Sequence, residues 1–190
     1  MPAPLLTKPD ILALLMDLFR EKGFDGASLS DISESTGLGK SSLYHHFPNG
    51  KEEIALQVLA HLEEQLEQAL FEPLRSTASP KKKLERMLDT IDAFYDGGKK
   101  ACLLERLCAS VDARRFRRPL GRAFSKWIDA VEALGVESGL SRTVARARAE
   151  DAVVRIEGAL VVSAGSGDPG VFARTIRDLR DSVLAPVPRR

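Results

Sequence analysis

The spacing of apolar residues constrains the fold of this chain more than any other feature of its sequence. In every segment of ten or more residues the apolar positions recur at three- and four-residue steps, which places them on one face of a helix. The stretch from Pro9 to Lys22 shows this most clearly, and Gly23 directly after it is a common helix stop. No alternating β-branched run is long enough to predict a strand. The chain is therefore predicted to be all-α.

Two further short helices are predicted before residue 50. Ser28 followed by Asp31 has the spacing of a capping box, which satisfies unpaired N–H groups at a helix start. Gly37 can adopt the left-handed conformation that ends a helix, and another short helix is predicted from Lys40 to Phe47. Two short helices joined by a tight turn match the helix-turn-helix plan, in which the later helix enters the major groove of DNA.

Longer helices are predicted for the rest of the chain. Pro48-Asn49-Gly50 is a turn signal, and a helix from Lys51 carries apolar residues at four-residue steps as far as Leu70. Further helices are predicted over 80–96, 101–109, 113–138, 142–165 and 169–184. The sequence thus divides into a helix-turn-helix domain, 1–52, and a second helical domain, 53–190.

The placement of charge is more informative than its sum. A net charge of +1 is too small to indicate a nucleic-acid partner. However, no acidic residue occurs from Thr36 to Lys51, whereas Lys40, His45 and His46 lie within that segment. The absence of carboxylates around the last short helix favours contact with a polyanion.

Three segments of this region form one extended motif. They are Ser28-Leu29-Ser30-Asp31-Ile32-Ser33, Thr36-Gly37-Leu38-Gly39-Lys40-Ser41-Ser42-Leu43-Tyr44-His45-His46-Phe47-Pro48 and Lys51-Glu52-Glu53. The motif closely resembles the N-terminal signature of the TetR family of bacterial regulators, over residues 8 to 60. Two residues, Asn49 and Gly50, stand where many members have one, which is similar to the branch of LmrA- and YxaF-type regulators.

The resemblance implies a ligand-responsive transcriptional regulator rather than an enzyme. It implies a cytoplasmic repressor that binds a palindromic DNA operator as a homodimer and is released by a small-molecule effector. Activation instead of repression stays open. No cofactor, metal site or catalytic residue is implied. An enzyme would need a nucleophile with a base, paired carboxylates or a metal cluster, and none stands at suggestive spacing. A helical scaffold protein would not explain the acid-free segment.

The resemblance also implies which residues touch DNA. They are Ser28, Lys40, Ser41, Ser42, Tyr44, His45, His46 and Lys51. Ser28 is a helix cap first and a phosphate ligand second, while His45 and His46 would be ordinary surface residues outside this motif. Gly39 stands where a capping Ser or Thr is common.

The second domain is expected to hold the effector and the dimer contact. The candidates for lining an effector cavity are Met87, Phe94, Leu103, Leu107, Phe116, Phe124 and Trp127, most of which would be plain core. The candidates for the dimer interface on the last two helices are Ile156, Leu160, Phe172, Ile176 and Leu179. An ordinary core within one chain is the alternative for the second set.

Three other features have simpler interpretations. Arg114, Arg115, Arg117, Arg118 and Arg122 form the most basic stretch, which is expected to be a solvated helix face; a site for an acidic effector and an auxiliary DNA contact are the alternatives. Cys102 and Cys108 are expected to be reduced, buried thiols. No apolar run reaches the roughly 18 residues that cross a bilayer, and no signal peptide is expected at the N-terminus.

Overall fold

The computed structural model describes residues 6–111 and 113–186, in which helices are joined by turns and loops and no strand occurs. The α-helices are α1 (Lys8–Gly26), α2 (Leu29–Thr36), α3 (Lys40–His46), α4 (Lys51–Leu66), α5 (Glu72–Leu74), α6 (Pro80–Phe94), α7 (Leu103–Cys108), α8 (Arg117–Glu137), α9 (Arg142–Ser166) and α10 (Gly170–Ser182). A π-helical turn covers Glu67–Phe71, and 3₁₀ turns cover Asp96–Gly98 and Ala113–Phe116. The all-α prediction is confirmed.

The chain forms two compact units. Unit 1 consists of the chain up to Gln65 together with Leu103–Pro119, and unit 2 consists of Leu66–Cys102 and the chain from Leu120 onward. Unit 1 therefore includes α7 and the turn after it, which lie far from α1 to α4 in the sequence. The functional boundary predicted after residue 52 stays a prediction.

The first helix illustrates how local sequence sets a boundary. Thr7 and Asp10 form a capping box, in which the Thr7 N–H donates to Asp10 Oδ2 at 2.9 Å. Gly23 has a φ of +71° and interrupts the helix where the sequence predicts its end, but one further turn follows to Gly26. The additional helical turn places Phe24 in the core, where its side chain is buried.

The core of unit 1 is built from the apolar faces of its helices. Its largest fully buried side chains are Phe19, Phe47, Phe116, Ile11, Leu15, Ile32, Ile54, Leu59 and Leu103. The Phe24 and Phe116 rings meet edge to face, with their centroids 5.0 Å apart. The Arg106 Nε–H also donates to the Arg20 carbonyl at 3.1 Å, so α7 packs firmly on α1.

Unit 2 buries a separate core. The Phe172 N–H donates to Ser163 Oγ at 3.2 Å where α10 packs on α9. Lys83 is buried, and its ammonium binds both carboxylate oxygens of Glu137 at 2.9 and 2.8 Å. No helix in the described ranges is long and apolar enough to cross a membrane.

The two cysteines differ in exposure. Cys102 in unit 2 is buried, and its Sγ lies 3.3 Å from both Tyr95 Oη and Glu157 Oε1. Cys108 in unit 1 is exposed. The expectation of two buried thiols is therefore wrong for Cys108, because the helical period turns this position of the short α7 outward.

Candidate nucleic-acid interface

The beginning of α2 is fixed by the predicted capping box. Ser28 Oγ accepts from the Asp31 N–H at 3.1 Å, and the Ser28 N–H donates to Asp31 Oδ2 at 2.7 Å. Asp31 Oδ1 also binds the Lys22 ammonium at 2.5 Å. The hydrogen bond from Lys22 and those from Ser28 hold the pKa of Asp31 well below its usual value. The Asp31 charge is thus neutralised by neighbouring groups of the protein itself.

The turn between α2 and α3 is held by both backbone and side chains. Gly37 has a φ of +67° and ends α2 in the left-handed conformation that the sequence predicts. Thr36 Oγ1 donates to the Ile32 carbonyl at 2.7 Å, and the Leu38 N–H donates back to Thr36 Oγ1 at 3.3 Å. These bonds satisfy polar groups that the sharp turn would otherwise leave unpaired.

The short helix α3 has one buried face and one exposed face. Leu43 and Phe47 point into unit 1 and are 5% and 1% exposed. On the other side Lys40, Ser41 and His45 are exposed, Ser42 and His46 are half-buried, and Tyr44 keeps 51% of its surface. The structure therefore brings six of the eight predicted DNA contacts together on one helix. Ser28 is exposed at the start of α2, where its hydroxyl acts as the cap.

Lys51 begins α4 and is already engaged with its own unit. Its Nζ lies 4.6 Å from the centroid of the Phe24 ring and 3.4 Å from the Asp25 carbonyl oxygen. Partial burial lowers the pKa of Lys51, against smaller opposing effects of Asp25 and Asp31. The Lys51 ammonium is therefore held at the start of α4 by an aromatic ring and a carbonyl oxygen.

Lys8 is a candidate that sequence reasoning missed. Its Nζ lies 5.7 Å from the centroid of the Phe47 ring, at the C-terminal end of α3. Helical periodicity shows which residues of α1 are buried, but it does not show which end of α1 lies beside α3. The tertiary fold therefore adds a cation that no local pattern singles out.

The acidic side chains near α3 are engaged in contacts within unit 1. Glu53 Oε2 accepts from the Asn49 N–H at 2.8 Å, and Glu53 Oε1 accepts from Gln57 Nε2 at 2.8 Å. Glu52 Oε2 pairs with Arg115 Nη1 at 2.9 Å. Because Arg115 offsets the charge of Glu52, this carboxylate opposes a polyanion less than an unpaired one would.

The candidates for an effector cavity are divided between the units. Leu103, Leu107 and Phe116 are buried in unit 1. Met87 and Trp127 are buried in unit 2, where Phe94 and Phe124 are half-buried. A surface cleft of about 520 Å³ in unit 2 is lined by other residues, among them Lys81, Glu137 and Arg180, and by none of these seven. The cavity assignment stays a prediction.

The candidates for the dimer interface lie inside one chain. The five side chains Ile156, Leu160, Phe172, Ile176 and Leu179 are each at most 3% exposed, in the core of unit 2. This is the alternative that the sequence left open. A side chain that its own chain covers has no surface left for a partner, so any dimer contact must use other residues.

Comparison with known proteins connects this arrangement to a family. The family model described as "Bacterial regulatory proteins, tetR family" matches residues 11–58. LmrA of Bacillus subtilis, an HTH-type transcriptional regulator, is 24% identical over 162 residues, covering 83% of this chain and 86% of that protein. YxaF of the same organism is 27% identical over 90 residues, 47% of each chain. IcaR of Staphylococcus epidermidis, named a negative transcriptional regulator of a biofilm operon, is 51% identical over 47 residues, 25% of each chain.

Solved structures show the same fold. A TetR transcriptional regulator from Legionella pneumophila aligns with a TM-score of 0.82 and 19% identity, covering 93% of this chain and 97% of that one. CifR, solved with double-stranded operator DNA, aligns with a TM-score of 0.70 and 21% identity, covering 96% of this chain and 100% of that one. Residues 11–58, which include the helix-turn-helix, therefore match the tetR family of bacterial regulatory proteins, and the described chain shares the fold of solved TetR transcriptional regulators.

Proposed function

We propose that this protein is a ligand-responsive repressor that binds a palindromic DNA operator as a homodimer and leaves it when a small molecule binds. The exposed face of α3 carries the proposal, because it presents Lys40, Ser41, Tyr44 and His45 without a carboxylate between them. The protein acts in the cytoplasm, where bacterial DNA lies, and as a regulator rather than an enzyme. IcaR, which is named a negative regulator, supports repression over activation.

Each exposed side chain of α3 has a chemical role in this proposal. Ser41 and Ser42 donate to base edges or phosphates, and Lys40 neutralises a phosphate. Tyr44 and His45 contact a thymine methyl group or the sugar-phosphate backbone. His46 and Lys51 bind flanking phosphates, and the Lys51 ammonium turns from the Phe24 ring to a stronger anionic partner. Ser28 contributes at most a second hydrogen bond beyond its cap.

A homodimer makes such a short recognition helix specific. One helix of seven residues contacts too few base pairs to select a site, whereas a two-fold dimer reads both halves of a palindrome. The contact surface we propose is the outward stripe of α9. Its residues are Val154, Gly158, Val161, Val162 and Gly165, and the three valines are 68%, 51% and 52% exposed. Exposed valines at helical spacing beside glycines suit the close packing of a second helix.

The effector is proposed to enter unit 2. Trp127 is buried, and its Nε1–H has no hydrogen-bond acceptor among the described residues. A buried indole N–H without an acceptor is costly, so an effector with a suitably placed oxygen would be favoured there. The half-buried rings of Phe94 and Phe124 supply apolar contact in the same unit. In the dimer, the two copies of α3 must be spaced to match the two halves of the operator. An effector that binds better to a dimer with a different spacing of these helices therefore weakens DNA binding.

A gel-shift experiment tests the proposal. Purified protein is titrated against the DNA directly upstream of its own gene, with unrelated DNA of equal length as competitor. We expect a shift that resists the competitor and that weakens when Tyr44→Ala is introduced. Lys82→Ala, which removes an exposed cation from unit 2, is the control and should bind as the wild type does. If neither this DNA nor a random-sequence pool yields a specific site, the proposal is wrong.

A further inference from the structure

Three exposed arginines of unit 1 form a patch outside the helix-turn-helix. Arg114, Arg117 and Arg118 lie on the 3₁₀ turn after α7 and on the first residues of α8, and we call them the arginine patch. We propose that the arginine patch binds the phosphate backbone of DNA that flanks the operator. This inference rests on the proposed function, since it adds a contact to the same complex.

Three contacts anchor the segment that carries these arginines within unit 1. Arg115, which directly follows Arg114 but is not part of the patch, pairs through Nη1 with Glu52 Oε2 at 2.9 Å. Glu52 directly follows Lys51, the first residue of α4. Just before the patch, the Val111 N–H donates to Asp25 Oδ2 at 2.8 Å, and Ser110 Oγ donates to Asp25 Oδ1 at 3.3 Å. The backbone that carries the patch is therefore bound to the DNA-binding half of unit 1.

Aromatic packing connects the same segment to Lys51. Phe116 is fully buried between the patch arginines, and its ring centroid lies 5.0 Å from that of Phe24. The Phe24 ring in turn carries the Lys51 ammonium at 4.6 Å from its centroid. Lys51 is a proposed phosphate contact. The segment that carries the patch is therefore packed, through Phe116 and Phe24, beside a residue that is proposed to bind DNA.

The patch arginines form no ion pair with the described residues of their own chain. In the described chain, no carboxylate lies within ion-pair distance of Arg114, Arg117 or Arg118. Other arginines are paired: Arg146 contacts Asp129, Glu132 and Glu150, which raise the pKa of its guanidinium.

The position of the patch is also electrostatically unfavourable. Arg117 and Arg118 occupy the first turn of α8, where no acidic residue occurs and where the helix dipole disfavours cations. A cluster of cations at a helix N-terminus, where the helix dipole disfavours them, indicates an external partner of opposite charge.

Among anionic partners, DNA fits this surface better than a small acid. The arginines are exposed on a 3₁₀ turn and a helix start rather than enclosed, so a small anion would be bound by few groups in open water. A DNA backbone presents phosphates at regular spacing, and each bound phosphate releases a counterion. Several long, flexible side chains on a fixed segment suit such a repeated target.

The test compares two lengths of DNA and three triple variants. The wild-type protein first selects a site from a random-sequence pool. That site is then placed in a short duplex that ends with it and in a long duplex with one further helical turn, about 10 base pairs, on each side. The test variant is Arg114→Gln/Arg117→Gln/Arg118→Gln. The control Lys81→Gln/Lys82→Gln/Lys100→Gln removes the same charge from exposed residues of unit 2.

We expect the test variant to lose about tenfold in affinity for the long duplex at physiological salt, which corresponds to about two phosphate contacts. The slope of log affinity against log salt should fall by about 1.8, because each lost contact contributes about 0.9. On the short duplex the test variant should match the wild type. The control variant, and a variant with Arg→Lys at the three positions, should keep the wild-type slope.

The possible failures are distinguishable. If the wild type selects no site, the proposed function fails and the patch contact with it. If the wild type binds but the test variant matches it on both duplexes, only the patch contact is wrong. Equal losses in the test and control variants would indicate an effect of total charge and would also overturn the contact. An equal loss on both duplexes in the test variant alone would contradict flanking contact.

Discussion

At the scale of single residues, the capping box of Ser28 and Asp31 fixes where α2 begins. Ser28→Ala removes the hydroxyl that accepts from the Asp31 N–H at 3.1 Å and leaves that donor without its partner. We expect the free energy of unfolding to fall by about 1 kcal/mol. Urea denaturation followed by circular dichroism measures this loss. Ser30→Ala is the matched control, because Ser30 is exposed on the same helix and should change stability by less than about 0.5 kcal/mol.

The same box predicts a dependence on pH. Hydrogen bonds from Lys22 and Ser28 lower the pKa of Asp31 below its usual value of 3.8. A group whose pKa is lower in the folded protein stabilises it above the unfolded-state pKa and loses that contribution as pH falls through the folded value. The stability of the wild type should therefore decline below about pH 4, and Asp31→Asn should reduce that decline. An unchanged acid profile in Asp31→Asn would show that this carboxylate is not linked to folding.

At the scale of elements, the turn between α2 and α3 depends on one glycine conformation. Gly37 has a φ of +67°, and a Cβ built there would meet no atom within 4 Å. The cost of Gly37→Ala is therefore backbone strain alone, and we expect a loss of about 1–2 kcal/mol. Gly37→Asn should lose less, because asparagine tolerates the left-handed region. Equal stability of the alanine and asparagine variants in urea would contradict this explanation.

At the start of α3, a glycine substitution is expected to raise stability rather than lower it. Gly39 is the N-cap of α3, with an extended φ of −69° and no side-chain hydrogen bond. Gly39→Ser adds a hydroxyl that can accept from a free N–H of the first turn, so stability should rise by a few tenths of a kcal/mol. Thermal denaturation of the variant beside the wild type measures the gain, and a lower midpoint would show that the serine does not cap α3.

At the scale of the whole molecule, assembly should depend on the outward stripe of α9. Val161 is 51% exposed on that stripe, and Val161→Glu would place a charge in the proposed interface. We expect sedimentation equilibrium to show a dimer for the wild type and a monomer for the variant, since an unpaired buried charge strongly opposes association. Val111→Glu is the control, because Val111 is 94% exposed in unit 1. A monomeric wild type would refute the dimer.

The sequence by itself determined the features that depend on neighbours along the chain. Helical period identified the helices, because a helix exposes its amphipathic face at three- and four-residue steps whatever it packs against. The cap at Ser28 and the left-handed turn at Gly37 were predicted for the same reason, since both concern bonds between residues a few positions apart. The family motif added the exposed residues of α3, whose types alone would suggest ordinary surface.

Only the tertiary structure decided which apolar faces meet each other. Ile156 and Phe172 look the same in sequence whether their helices pack within a chain or between two chains, and folding places them inside one. Likewise, no local pattern indicates that Phe116 packs against Phe24 or that Lys8 lies over the Phe47 ring. Packing is decided by shape complementarity between residues far apart in the sequence, whereas periodicity and caps are decided by local geometry. The sequence alone therefore reveals the helices and their caps but not which of their faces pack together.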